Sequence, residues 1–400
     1  MKEIDVLRSL CVPTESKIVL LVMDGLGDLP TDGQTALERA VTPHLDRLAL
    51  EGACGLTDPV ARGITPGSGP SHLSLFGYDP FKYILGRGIL EALGVGVLVG
   101  PNDMVARGNF ATLSEGKITD RRAGRISSER NMELCRLVNS SLQSVRGIAV
   151  ELTPGKEHRF VVKFSGEDLC DRLSDADPQK ENKPPVGTGA QTEEAATAAA
   201  VVNAFIEEVT AVLKDQPRAN TILLRGFSKH PTIPTFKELY KLKAAAIANY
   251  PMYRGLAKLA GMDILDVGPD ISDLFDTLDR HYADYDFFYM HVKRTDSAGE
   301  DGDMEAKTKA IEKTDGFIPR ILHHNPEVLA VTSDHSTPCL MKAHSWHPNP
   351  VIIHGRTAMP DTVTFFSERA CSHGYLGRFP AVHVMALLLA HAGKLQKYGA

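Results

Sequence analysis

Three apolar runs organise the reading of the chain: residues 18–23, 285–291 and 328–332. Each is strand length and lacks the alternation of a half-solvated strand, which predicts strands covered on both faces. Each also ends in polar residues with chemical capability. Asp24 to Asp28 follow the first run, Lys293 to Asp296 the second, and Asp334 and His335 the third. Helical spacing of apolar positions over 303–322 and 381–395 completes an alternation of β and α elements, the mark of an α/β fold with a mostly parallel sheet flanked by helices. In such sheets ligands gather beyond the carboxyl ends of the strands, where these side chains would stand.

The middle of the chain has a different texture. A strand is predicted over 159–164, and a basic turn runs from Asp120 through Arg121, Arg122 and Arg125. A Pro/Gly-rich loop over 174–190 is expected to be mobile. A helix over 193–214 would bury Val201, Val202, Phe205, Ile206, Val209, Val212 and Leu213 and stop before Pro217. Residues 106–219 are therefore expected to form a smaller inserted α+β domain, with 1–105 and 220–400 making one discontinuous domain. A chain of 400 residues, 43% hydrophobic, is long enough for two cores.

A net charge of -6 argues against nucleic-acid and anionic-membrane partners. The six cysteines are scattered without a Cys-x-x-Cys pair, as in a reduced cytoplasmic protein. The run at 18–23 is too short for a membrane span and is cut by Asp24, so neither a span nor a secretion signal is expected. Oligomeric state is left open, a homo-oligomer included.

Ser68 lies between Gly67 and Gly69 and ahead of Pro70. The glycines clear space around its hydroxyl, Pro70 suits a first helical turn, and free N–H groups there favour a phosphate. Alone, the stretch is an ordinary turn. Its company is a donor set of Asp24, Asp296, Glu300, Asp334, His335 and His344, with His347 as a candidate, all oxygen or imidazole nitrogen and no thiolate. Such a set suits two divalent ions of the Mn²⁺, Zn²⁺ or Mg²⁺ kind, which can clamp a phosphoryl displacement with Ser68 as nucleophile. Each residue has a plainer alternative: Asp24 as a helix cap, Asp334 and His335 as a polar turn, His344 and His347 as surface residues, His72 as loop support. Arg121, Arg122 and Arg125 offer planar donors to an anion carrying phosphate and carboxylate, and Asp120 could orient one guanidinium. Arg107, His158, Arg159, Asp175 and Asp177 are accessory candidates.

Several ordered motifs resemble the cofactor-independent, archaeal-type phosphoglycerate mutases of the alkaline phosphatase superfamily. They are Met23 to Asp28, Pro66 to His72 with Gly77 to Pro80, Gly86 to Gly94, Asp120 to Arg125, Tyr250 to Ala257, Thr332 to Cys339 and Lys397 to Ala400. The resemblance implies an alkaline-phosphatase-like domain with an inserted cap. It implies interconversion of 3-phosphoglycerate and 2-phosphoglycerate through a phosphoserine at two metal ions, Mn²⁺ favoured, without 2,3-bisphosphoglycerate. Carried over by position, Asp24, Asp334, His335 and Ser68 would hold one ion, and Asp296 and His344 the other. The arginines of Asp120 to Arg125, with His158 and Arg225, would hold glycerate.

Three positions depart from that family's pattern. Glu300 stands where a histidine is usual, Gln179 follows Asp177 and Pro178 where Asp-Pro-His is usual, and His347 lies in an altered stretch after His344. The carboxylate of Glu300 would move preference from Zn²⁺ towards Mn²⁺ or Mg²⁺. The alternative readings are a metal-dependent phosphomonoesterase, another phosphotransferase such as a homoserine-kinase-like relative, or a non-catalytic binding protein.

Overall fold

The computed structural model describes residues 3–399. The chain divides into two compact units, Met1–Ile84 with Ile233–Ala400, and Leu85–Thr232. Its strands in chain order are β1 (Ile18–Met23), β2 (Ala53–Asp58), β3 (Asp103–Ser114), β4 (Lys117–Asp120), β5 (Ser144–Val145), β6 (Ile148–Pro154), β7 (Arg159–Ser165), β8 (Thr221–Lys229), β9 (Ala244–Ile247), β10 (Asp263–Ile264), β11 (Phe287–Val292), β12 (Val328–Thr332), β13 (Asn349–Gly355) and β14 (Gly377–Pro380).

The first unit is built on an eight-stranded sheet in the order β10-β9-β11-β1-β12-β13-β2-β14. The strands from β10 to β12 run parallel. β13 is antiparallel to both its neighbours. β1, β11 and β12 are buried along their whole length, which is why their sequences are dominated by apolar residues, His291 in β11 being an exception. Val19, Leu21, Met290, Leu329 and Val331 pack into one core with Leu274, Leu278, Ile311 and Ile321 from covering helices.

The helix expected over 303–322 is two helices, Met304–Asp315 and Ile318–His323. Gly316 caps the first, and Pro319 sits in the first turn of the second, where its missing N–H costs nothing. The helix expected over 381–395 is a 3₁₀ turn, Ala381–His383, followed by Val384–His391, and ends before Gly393 at φ 65°.

The second unit begins earlier and ends later than the 106–219 read from sequence. Strand pairing explains why: β3 lies between β7 and β8, so β8 cannot leave this sheet. The helix Arg87–Gly94 belongs here too, because Gly88 approaches Gly226 so closely that a Cβ would collide with its carbonyl oxygen. The sheet runs β4-β3-β7-β6-β5, with β8 on β3, and its pairs are antiparallel. The helix Ala196–Leu213 covers it with Val201, Val202, Phe205, Val209 and Leu213, while Ile206 and Val212 are only half-buried. The 174–190 loop forms no helix or named strand but is tied down by bridges Leu173–Ala190, Ala176–Leu224 and Ile118–Lys183.

Candidate active site

Asp24, Asp296 and Asp334 follow β1, β11 and β12, three adjacent parallel strands. Met23 is level with Val292 and Val22 with Thr332, so all three carboxylates emerge at one edge. Because β13 is antiparallel, its amino end reaches the same edge, and His344 precedes it. Gly25, at φ 61°, lets the first of these loops pass the second: a Cβ would lie 2.7 Å from Asp296 Oδ1.

Ser68 opens the helix Ser68–Leu75, with Gly67 as its N-cap. Its Oγ lies 3.4 Å from Nε2 of His335. Asp334 Oδ2 and Asp24 Oδ1 lie 3.1 and 3.3 Å from that same nitrogen. Asp24, Asp334 and His335 are fully buried, and Asp24 Oδ1 has no hydrogen-bond donor. Burial and the neighbouring Asp24 push Asp334 up to about 7. Two buried carboxylates around one imidazole, one oxygen orphaned, are what a divalent cation would satisfy.

A second group joins Asp296, His335 and His344, whose ligand atoms lie within 4.8 Å of one another, as do those of Asp24, Asp334 and His335. His344 Nδ1 is 3.1 Å from the Pro66 carbonyl, so a proton there leaves Nε2 facing Asp296 Oδ1 at 3.7 Å. The His335 and His344 rings stack with centroids 3.7 Å apart, and His335 belongs to both groups. Each group is of a chemistry that a divalent ion of the Mn²⁺, Zn²⁺ or Mg²⁺ kind would suit.

Glu300 stands at the margin, half-exposed and 3.9 Å from His344 Nε2, and burial and Asp296 raise its pKa. His72 is buried with Nδ1 between the Ser68 carbonyl (2.9 Å) and Asp334 Oδ2 (3.1 Å), and burial holds it down to about 4. His347 belongs to neither group: its Nδ1 meets Ser345 Oγ at 3.0 Å and its ring stacks on Trp346.

Sequence reasoning missed the residues that hold the carboxylates. Tyr253 donates to Asp24 Oδ2 at 2.5 Å, Thr337 donates to Asp296 Oδ1 at 2.5 Å, and Lys293 pairs with Asp24 at 3.0 Å and with Asp296. Lys293 had a signal, its i,i+3 spacing from Asp296 on a helical turn; Tyr253 and Thr337 lie inside the motifs Tyr250 to Ala257 and Thr332 to Cys339, which marked the stretches but gave these two side chains no role.

In the second unit Asp120 corrects its expected role. Its carboxylate accepts the backbone N–H groups of Arg122 and Gly124 at 2.7 and 2.6 Å, closing a turn in which Ala123, Gly124 and Arg125 all have positive φ. Asp177 orients the guanidiniums instead. It takes Nε and Nη2 of Arg121 at 2.9 and 2.6 Å, and Arg225 Nε lies 3.7 Å away. Arg225 Nε also donates to Asp175 Oδ2 at 3.2 Å. Burial alone would raise the Asp177 pKa, but Arg121 and the Gln179 N–H hold it below the usual range. Arg122 and Arg125 are exposed. Arg107 faces Arg225 across the β3–β8 ladder. Burial lowers its pKa, with Arg159, Arg87 and Arg225 adding repulsion against the pull of Glu91. His158 is buried in the same region, and burial and Arg159 bring it down to about 4. Like charges so placed favour an anion among them.

The family model described as 2,3-bisphosphoglycerate-independent phosphoglycerate mutase matches residues 49–219. A Thermosipho africanus protein named "Probable 2,3-bisphosphoglycerate-independent phosphoglycerate mutase" is 54% identical over 396 residues, 99% of this chain and 98% of its own. A protein of the same name from Thermus thermophilus is 49% identical over 401 residues, 99% of each chain. Among solved structures, the cofactor-independent phosphoglycerate mutase of Thermoplasma acidophilum superposes with a TM-score of 0.76 at 31% identity, covering 94% of this chain and 100% of its own. Near end-to-end identity of this order carries a firm conclusion: the chain belongs to the 2,3-bisphosphoglycerate-independent phosphoglycerate mutase family.

Proposed function

We propose that the protein interconverts 3-phosphoglycerate and 2-phosphoglycerate by way of a phosphoserine at Ser68. The observation that carries the reading is the convergence of Ser68 Oγ, Asp24 Oδ1 and Asp334 Oδ2 on one imidazole nitrogen of His335. Two divalent cations, when bound, would supply Lewis acidity to the serine oxygen and to the phosphoryl oxygens. Asp24, Asp334, His335 and Ser68 would hold one, and Asp296 and His344 the other, with Glu300 as an outer ligand and Mn²⁺ the favoured ion.

Ser68 Oγ forms the bond to phosphorus as the ester oxygen of the substrate leaves, and in net terms the serine proton ends on the released glycerate hydroxyl. The neighbouring hydroxyl then takes the phosphoryl group back, restoring Ser68. The first turn of the Ser68–Leu75 helix presents backbone N–H groups to the phosphoryl charge. Arg121, Arg225 and Arg107 hold the glycerate carboxylate, with Asp177 fixing the first two. Negatively charged substrate would relieve the repulsion between Arg107 and Arg225.

Phosphorus NMR on 3-phosphoglycerate tests this, with chelator-treated protein refilled separately with Mn²⁺, Mg²⁺ and Zn²⁺. A metal-dependent 2-phosphoglycerate signal, lost in Ser68→Ala, is the expected result. Free phosphate alone would make the protein a hydrolase, and full isomerase activity in Ser68→Ala would end the covalent scheme.

A further inference from the structure

Asp24 is fully buried, and its two oxygens are treated differently. Oδ1 has no donor and faces His335 Nε2 at 3.3 Å, among the ligand atoms of the first group. Oδ2 is turned the other way, onto the Tyr253 hydroxyl at 2.5 Å, with Lys293 Nζ at 3.0 Å and His291 Nε2 at 3.4 Å. The phenol has little freedom. Its buried ring stacks on His291 with centroids 3.7 Å apart and leans on His72 at 4.7 Å, and its helix, Pro251–Leu259, starts with a proline in the first turn. Rotation of the Asp24 carboxylate about its Cβ–Cγ bond would therefore break a short hydrogen bond in a site closed to water, where a lost bond is expensive.

We propose that Tyr253 is the positioning residue of the Asp24 ion site: by holding Oδ2 it decides that Oδ1 faces the cation, and so sets that site's affinity without touching the ion. The proposal rests on the two-ion reading above. A hydroxyl that orients a ligand in this way is worth about 10–100-fold in metal affinity.

The test is Mn²⁺ titration by calorimetry of the full chain after chelator treatment, comparing wild type, Tyr253→Phe and Tyr289→Phe. Tyr289 is the control, because its buried hydroxyl belongs to the same ring cluster but has no hydrogen-bond partner. Wild type should take up two ions. In Tyr253→Phe one of the two should bind roughly 10–100-fold more weakly, with kcat falling more than KM. Tyr289→Phe should match wild type. Thermal unfolding of the metal-free proteins checks that Tyr253→Phe folds. Two ions bound by Tyr253→Phe with wild-type affinity would overturn the proposal, as would equal weakening in Tyr289→Phe, which would point to ring packing instead. A wild type that binds no Mn²⁺ would overturn the two-ion reading itself and this proposal with it.

Discussion

Replacing Lys307 with methionine should unfasten the two loops that carry Asp24, Asp334 and His335. The ammonium is fully buried, donating to the carbonyls of Gly27 at 3.2 Å and Thr337 at 2.9 Å and pairing with Asp28 Oδ2 at 3.2 Å. Gly27 lies three residues after Asp24 and Thr337 two after His335, so a single cation clasps the β1 and β12 loops. Methionine keeps the stem and removes every donor. Asp28 Oδ1 would retain the N–H groups of Leu29 and Cys339, but Oδ2 would be left buried and unpaired. Breaking a buried pair costs about 3–5 kcal/mol, and relaxation around the two freed carbonyls keeps the total at about 4 kcal/mol. At about 2–4 °C per kcal/mol for a domain of this size, the metal-free protein should melt about 8–16 °C earlier. Scanning calorimetry or circular dichroism reads this, and the Asp28→Asn/Lys307→Met double variant should recover at least half the loss because no lone charge remains. A Lys307→Met protein melting within about 2 °C of wild type would refute the clasp.

Glu300→His should move the metal optimum for isomerisation towards Zn²⁺, and an unchanged metal profile would remove Glu300 from the ligand set. Asp177→Ala frees Arg121 and Arg225, so KM for 3-phosphoglycerate should rise about 10–100-fold with a smaller fall in kcat; an unchanged KM would deny these arginines a role in binding. Glu368 gives a pH dependence. It accepts from Thr35 Oγ1 at 2.7 Å and from the Asp28 N–H at 3.0 Å, yet burial pushes it up to about 7. A carboxyl raised on folding stabilises fully below its unfolded pKa, and that stability is lost as pH rises through about 7, up to roughly 3 kcal/mol. Glu368→Gln should flatten the decline in urea midpoint between about pH 5 and about pH 8, and an identical slope in the variant would locate the titration elsewhere.

The sequence alone determined what depends on neighbours along the chain. Residues 18–23 and 328–332 are strands because both faces of each are buried, and their apolar runs record it. Ser68 at a helix start follows from its glycines and Pro70, and Asp24, Asp296 and Asp334 follow from their places after strands. Local rules also misread some residues. Gly316 and Pro319 divide a helix that apolar spacing joined, and Asp120, beside three arginines, satisfies its own turn.

Only the tertiary structure decided what strand order and register control. β11, β1 and β12 are neighbours in the sheet although β1 lies far from the other two along the chain, and no local signal orders them. The pairing of Ile18 with both Phe287 and Val328 is what brings three carboxylates to one edge. The same long-range pairing keeps β8 in the second unit and sets its boundary at Thr232. His335 between two ligand groups, Asp177 between two arginines and Tyr253 behind Asp24 are contacts between distant segments. Such contacts are made by packing and register, which periodicity along the chain does not encode.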